Sequence, residues 1–427
     1  MMDTNFARAI INKLGGTGTP PEFGIETFTI GLERYLVVVE EEYLKGILKY
    51  NLSSFKIITG NYGGGKTHFL YTVRNLAFKH NFVVAYVSLN PTECPFDKLE
   101  LVYKQIAINL TPPVSEEELM KSALGGEKGI DSLLHRWHAS CKAKVDQVNS
   151  MHEYLKTIKG TESTSFLNAV KGAFTSIIAE DDEGFDSIVQ WLKGEETGRD
   201  VRARYRISER IDKATAFRMI RSLAQWIHMI GYSGLILLFD EAERGMSISS
   251  SRDKRRALDN LRQIIDECGN SRLPGVMFFY ALPDENLLLE GSGGVYEALK
   301  QRLRSAFSEI NPVGVKINLE ELGIEPAQFL QALGLKLANL FETAYGFEFN
   351  RNVLEKTINN LSDLALSAFA YDVSYRRLFV IGAIEAFHRI RTNPNKAIER
   401  KDAEAILKVT TQRVSEESKA KVEKEEF

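Results

Sequence analysis

What the chain lacks narrows its class before any motif is read. Cysteine is scarce. Cys94, Cys141 and Cys268 are odd in number and far apart, which makes no disulfide framework and predicts a reduced, cytoplasmic setting. No apolar run approaches the ~20 residues that a bilayer-spanning helix needs, so no membrane contact is expected. Met1 to Lys13 carries Asp3 and only a brief apolar run, so no signal peptide is expected. An excess of one charge is missing too. The formal net charge of −3 sets up no basic field over the whole molecule, and any nucleic-acid contact must come from a local patch. The N-K-x-D motif with which GTPases read guanine is absent.

Apolar residues make up 44% of 427, enough to build the cores of two or three domains. The most informative stretch is Gly60-Asn61-Tyr62-Gly63-Gly64-Gly65-Lys66-Thr67, a complete G-x-x-x-x-G-K-[ST] phosphate-binding loop. Phe55 to Thr59 before it is short, apolar and β-branched, as a buried strand requires. From His68 to Ala77 apolar residues recur at helical spacing. Strand, glycine loop and helix is the order that phosphate binding demands. The glycines let the backbone turn tightly and aim N–H groups at phosphate oxygens at the positive end of the helix dipole. Lys66 is placed to reach the β- and γ-phosphates and Thr67 to ligate Mg²⁺. Gly60 to Thr67, with His68, are the candidate nucleotide-binding residues.

The second informative stretch is Leu235-Ile236-Leu237-Leu238-Phe239-Asp240-Glu241, an apolar run ending in two carboxylates. It reads as a central parallel strand, and ligands of open α/β sheets sit at the C-terminal ends of such strands. Asp240 is the candidate for the Mg²⁺ shell. Glu241 is the candidate base that polarises the attacking water, with Lys66 the other catalytic candidate. The alternative is an ordinary buried strand ending in an acidic loop. The pairing of loop and carboxylates favours hydrolysis, and Glu241 sets the chain apart from kinases and many GTPases. Phe82 to Asn90 is a further strand between the motifs, which suits the P-loop class with an additional strand, the AAA-like class.

Val276 to Tyr280 is another strand. ATPases of that class place a polar γ-phosphate sensor at its end, where this chain has Ala281 and Leu282. Tyr280 is therefore a candidate sensor, and so is Asn90, placed to restrain Glu241. Arg302 and Arg304, on a basic helical stretch, are candidate trans-acting arginine fingers, with structural ion pairing as the alternative. Arg376 and Arg377 open a later helix and are candidate lid arginines.

The organisation expected is an α/β P-loop fold with a parallel sheet, a helical insertion and a C-terminal helical lid. Residues 1–50 form an N-terminal segment packing near the nucleotide, with one helix from Leu32 to Leu48. Residues 51–318 form the ATPase core, interrupted at about 112–208 by the insertion, since a structureless loop of that length is not expected in a compact domain. Residues 319–412 form the lid and 413–427, dense in Lys and Glu, a flexible tail. Within the insertion His135, His138 and Cys141 lie at a 3-3 spacing that spreads them around a helix, with no fourth ligand in view. The run Arg199, Arg202, Arg204, Arg206 and Arg210 is open to three readings: a solvated helix face, a nucleic-acid contact or a subunit interface.

The flanks of both motifs resemble one family. Ser54 to Gly60 running into Gly65-Lys66-Thr67-His68-Phe69-Leu70, Gly231-Tyr232 through Asp240-Glu241-Ala242-Glu243, and Tyr280 to Pro283 are similar to the ATP-binding proteins of BREX phage-defence systems. These are the BrxC/BrxD-type P-loop ATPases, and the BrxD-like member is closest in size. Leu282 stands where the family tends to have Thr. The resemblance implies an AAA-like ATPase using ATP and Mg²⁺ with other defence-system proteins, a helicase-like partner among them, on phage DNA, and a homo-oligomer formed on ATP. Two other readings stay open: a slow nucleotide-dependent switch or scaffold recruiting partner proteins, and a DNA-binding loader of the origin-recognition type.

Overall fold

Short β-branched runs and longer amphipathic ones alternate through the first part of the chain, and in the computed structural model they become the strands and helices of an α/β fold. The structure describes residues 3–122, 128–144, 148–246, 250–284, 305–369 and 375–425. The chain divides into two units. One is built from Met1–Arg34, Thr59–Thr72 and Asn318–Phe427, the other from Tyr35–Ile58 and Val73–Ile317.

The first unit begins with helix α1, Thr4–Thr17. The Asp3 carboxylate accepts from the N–H groups of Asn5 and Phe6, and Gly18, in the left-handed conformation, returns its N–H to Leu14. Both ends of α1 are thereby satisfied. It packs on the C-terminal helices Pro326–Tyr345 and Tyr375–Thr392, so closely that a Cβ on Gly15 would lie 2.9 Å from Ile384. Helices Arg351–Phe369 and Arg400–Glu425 complete this unit. The last of them runs into the Lys- and Glu-rich stretch, whose residues are good helix formers, and earlier in the same helix Glu404 pairs with Lys408 at i,i+4.

The second unit holds a six-stranded sheet of β1 (Ser54–Thr59), β2 (Phe82–Ser88), β3 (Leu110–Thr111), β4 (Gly234–Asp240), β5 (Val276–Leu282) and β6 (Lys316–Asn318), in the order β3-β2-β4-β5-β1-β6. β2 and β4, and β4 and β5, run parallel, and β3 is an antiparallel edge. β5 thus lies between β4 and β1. β1, β4 and β5 are buried along their whole length, as the apolar runs that dominate them require of a sheet covered on both faces. Lys56 in β1 is the exception in composition but not in burial, at 1% exposed. Its ammonium donates to the Tyr43 hydroxyl at 2.6 Å, to the Gly314 carbonyl at 2.6 Å and to that of Pro312 at 3.3 Å. The rings of Tyr43 and Phe307 lie 4.5 and 4.7 Å from it.

The expected helix from Leu32 to Leu48 is instead three pieces: α2 (Glu33–Val38), a π-helical turn (Val39–Leu44) and a 3₁₀ turn (Ile47–Tyr50). The break has a local cause. Val37-Val38-Val39 is a β-branched run that resists regular helix, and Gly46 approaches the Glu42 carbonyl too closely for any Cβ.

Helix α3 (Lys66–Lys79) follows the glycine loop and α4 (Leu99–Asn109) follows β2. Between residues 116 and 204 the described residues form six helices, α5 to α10 (Glu116–Ser122, Ile130–Lys144, Val148–Thr157, Thr164–Ile178, Asp182–Leu192, Arg199–Arg204). Of these, α6, α7, α8 and α9 share one core with α11 (Ala216–Met229): Trp137 lies 4.4 Å from Phe174 and 5.7 Å from Trp226 between ring centroids. α12 (Ala242–Gly245) and α13 (Ser251–Gly269) lead to β5.

Candidate functional site

In the first unit the loop Gly60 to Thr67 opens directly into α3, whose first residue is Lys66. Gly63 and Gly65 have φ of 72° and 100°, a conformation that other residues adopt only at a cost. Gly64 is required for a different reason, since a Cβ there would lie 2.7 Å from a Glu320 carboxylate oxygen. The Lys66 side chain is buried and curls onto its own loop, donating to the carbonyls of Gly60 at 2.7 Å and Asn61 at 3.1 Å. Tyr62 stands exposed beside it, its ring centroid 5.3 Å from the ammonium.

The two lid candidates have different partners. Arg376 donates to the Gly64 carbonyl at 2.6 Å and to that of Leu319 at 3.2 Å, and its guanidinium packs on the Phe329 and Tyr375 rings. Arg377 donates instead to the Thr17 carbonyl at the end of α1, at 2.7 Å. Glu320, which sequence reading passes over, joins Arg376 to the loop. One carboxylate oxygen accepts the Asn61 N–H at 3.0 Å and the other lies 3.5 Å from Arg376. No local pattern marks Glu320, because its contacts with Asn61 and Arg376 lie 259 and 56 residues away in sequence.

His68 turns to the N-terminal segment. Its Nε2 lies 2.8 Å from the Thr29 hydroxyl and its ring meets Phe28 edge-on, while Lys336 donates to the Thr29 carbonyl at 2.6 Å. Burial, with the charge of Lys336 second, pushes the imidazole down to about 4. It is neutral at physiological pH.

In the second unit β4 ends in Asp240, 3% exposed. One of its oxygens accepts from the Tyr86 hydroxyl at 2.7 Å and the other from the Glu241 N–H at 2.9 Å. Glu241 turns the chain in the left-handed region, with φ 53° and ψ 40°. Its Oε2 accepts from Ser88 Oγ at 3.1 Å and from Arg244 at 2.7 Å. Tyr86 and Ser88 are two apart on β2, so they share a face, and the parallel register sets Ser88 opposite Asp240. That alternation was present in the sequence, but the register that makes it useful was not.

Ser88, rather than Asn90, is thus the β2 residue that reaches Glu241. The Asn90 side-chain oxygen is taken up by the following turn, accepting from the N–H groups of Thr92 and Glu93 and from the Thr92 hydroxyl. Such an Asx turn is what Asn before Pro favours. Tyr280 lies in the core against Phe55, Phe96 and Phe239. Burial pushes its phenol well above the ordinary range, and its hydroxyl has no hydrogen-bond partner among the described residues. Arg302 and Arg304 lie outside the described residues. Of the basic run, Arg204 pairs with Asp181. His135 and His138 pack on Phe185 and Phe174, and Cys141 is buried. Among the described residues no group of three or more His, Cys, Asp or Glu side chains is placed to hold a metal ion, and no helix is long and apolar enough to cross a membrane.

A family model described as "BREX system ATP-binding protein BrxC/D" matches residues 3–405. Neither the curated proteins nor the solved structures contain a match to the chain.

Proposed function

The chain belongs to the family of BREX system ATP-binding proteins BrxC/D, and from that premise we propose that it binds ATP with Mg²⁺ and hydrolyses it. The observation that carries the reading is the sheet order. β1, which runs into the glycine loop, and β4, which ends in Asp240-Glu241, have β5 between them. That order supports placing the chain in the additional-strand, AAA-like class of P-loop proteins, where a second carboxylate after the Mg²⁺ carboxylate serves hydrolysis.

The residues suit the ligand. The loop presents backbone N–H groups at the start of α3, where an anion is favoured. Lys66 would exchange the carbonyls of Gly60 and Asn61 for phosphate oxygens. The Thr67 hydroxyl and Asp240 carboxylate are the hard oxygen donors that Mg²⁺ prefers, and the bonds from Tyr86 and the Glu241 N–H orient Asp240. The metal would neutralise charge on the β- and γ-phosphates. Glu241 would accept hydrogen from the attacking water. His68, neutral and held by Thr29, would fix residues 28–29 beside the loop, in keeping with an N-terminal segment packed near the nucleotide. Arg376 is the better placed of the two lid arginines, and 319–412 is read as the lid.

Action in a cytoplasmic anti-phage complex with other defence proteins, on DNA and as an oligomer, belongs to the same proposal. One observation favours the slower variant of it, a nucleotide-dependent switch: the Glu241 carboxylate is engaged by both Ser88 and Arg244. The test is ATP turnover by the native chain and by Glu241→Gln, with and without double-stranded DNA, beside nucleotide affinity for both. Turnover lost in Glu241→Gln with affinity kept is the expected result. Equal turnover in the two proteins would sink the hydrolytic reading, and stimulation by DNA would favour a DNA-acting motor over a switch.

A further inference from the structure

The carboxylate assigned to water activation already has a cationic partner. Glu241 Oε2 accepts from Arg244 at 2.7 Å and from Ser88 Oγ at 3.1 Å. A guanidinium bond and a hydroxyl bond on Oε2 occupy that oxygen's lone pairs. A base must offer a lone pair to the proton it takes. Held in this way, the carboxylate is fixed toward Arg244 and Ser88 through Oε2.

The geometry that produces the hold is built into the chain. Glu241 stands in the left-handed region, at φ 53°, a strained conformation for a residue with a side chain. One helical turn follows, closed by the Arg244 N–H on the Glu241 carbonyl at 2.9 Å, and this brings residue 244 back over residue 241. The turn is itself fixed. The Gly245 carbonyl accepts from the Phe96 N–H at 3.1 Å, and a Cβ on Gly245 would lie 2.9 Å from Leu89. Arg244 therefore has a set position beside Glu241, on the side where β2 supplies Ser88. The pair is partly exposed, with side chains 26% and 39% accessible, and exposed pairs at this spacing add little to stability. Its position against the proposed base gives it a use that its contribution to stability does not.

We propose that Arg244 is a positioning residue that restrains Glu241, so that basal ATP turnover is limited by release of this ion pair. Ser88 shares the restraint as a neutral second donor. The proposal rests on the hydrolytic reading of Glu241. In the released state Glu241 turns from Arg244 toward the water it polarises, and Arg244 is free for another acceptor.

The test compares the native full-length chain with Arg244→Gln, Arg244→Lys, Ser88→Ala and Glu241→Gln, reading kcat, KM and the affinity for a fluorescent ATP analogue. Arg244→Gln is expected to raise kcat about 3- to 10-fold with KM and analogue affinity unchanged. Arg244→Lys, keeping the charge but not the planar fork, should fall between the two, and Ser88→Ala should raise kcat less than Arg244→Gln. Where native turnover is below detection, its appearance in Arg244→Gln is the supporting result. Loss of turnover in Arg244→Gln with binding intact would make Arg244 a catalytic residue and overturn the restraint. An unchanged kcat would leave a purely structural pair and overturn it as well. Loss in Glu241→Gln without a rise in Arg244→Gln counts against this proposal alone, whereas full turnover in Glu241→Gln removes the hydrolytic reading and this proposal together.

Discussion

Arg376 donates to the Gly64 carbonyl at 2.6 Å, so a side chain at the start of helix Tyr375–Thr392 is bonded to the backbone of the glycine loop. The same guanidinium donates to the Leu319 carbonyl at 3.2 Å, and its planar fork is what lets one side chain hold two segments. Loss of the fork should loosen the loop and weaken nucleotide binding. We expect Arg376→Ala to reduce ATP affinity about tenfold, or about 1.4 kcal/mol, and Arg376→Lys to recover little of it. Arg377→Ala, which loses a bond to Thr17 at the end of α1, should lower the melting temperature and leave affinity near native. Equal affinities for native and Arg376→Ala in a fluorescent-nucleotide titration would show that the bond to Gly64 has no bearing on the ligand.

Glu320 brings a negative charge to a loop that is read as a phosphate site. Its oxygen accepts the Asn61 N–H at 3.0 Å, and an amide oxygen can make that bond equally well. Glu320→Gln therefore keeps the acceptor while removing the repulsion between carboxylate and phosphates and the charge pairing with Arg376. Affinity for ATP should rise about 3-fold, with a larger gain at low ionic strength, where the interaction is less screened. Titration at two salt concentrations checks both parts, and weaker binding in Glu320→Gln would mean that the pairing with Arg376 outweighs the repulsion.

Lys56 gives the fold a pH dependence with a defined sign. Burial pushes its ammonium down to about 7, against about 10.4 in an unfolded chain. Below pH 7 both states carry the proton, and the folded protein bears the full cost of burying the charge. Between 7 and about 10.4 the unfolded chain binds a proton that the folded chain does not, so this residue makes stability rise with pH, by at most about 1.4 kcal/mol per unit. The Tyr43 hydroxyl beside it stays protonated over most of that window, since burial raises it to about 12. Lys56→Met should flatten the rise. Urea unfolding of native and variant at pH 7, 8 and 9 reads the difference, and parallel pH dependences for the two would refute the assignment.

The strands and the loop were legible because their signals are local. Phe55 to Thr59, Phe82 to Asn90, Leu235 to Phe239 and Val276 to Tyr280 are apolar runs of strand length, and the strands observed, Ser54–Thr59, Phe82–Ser88, Gly234–Asp240 and Val276–Leu282, differ from them only at the ends. β3 has two residues and β6 three, too few for any periodicity to register. The partners of the candidate site were illegible for a different reason. Ser88 rather than Asn90 reaches Glu241 because β2 pairs with β4 in one register, and the two strands are separated in sequence by the whole insertion. The link from Arg376 to Gly64 spans 312 residues, and the one from Glu320 to Asn61 spans 259. Arg244 could have been found, since its spacing from Glu241 is that of one helical turn, but only once Glu241 was known to start that turn.

The insertion should depend on a few rings. Trp137 is 2% exposed, lies 4.4 Å from Phe174 and 5.7 Å from Trp226 between centroids, and donates its indole N–H to the Tyr154 hydroxyl at 3.1 Å. Four helices, α6, α7, α8 and α11, thus meet at one side chain. Trp137→Ala removes the ring contacts and the bond to the Tyr154 hydroxyl and leaves a cavity, at a cost of about 3–5 kcal/mol. Trp137→Phe keeps most of the volume and should cost much less. The expected result is a marked fall in melting temperature for Trp137→Ala, with limited proteolysis cutting first between residues 112 and 208, and a small fall for Trp137→Phe. A first cut elsewhere, or equal losses in the two variants, would mean that the insertion is held together by something other than this ring cluster.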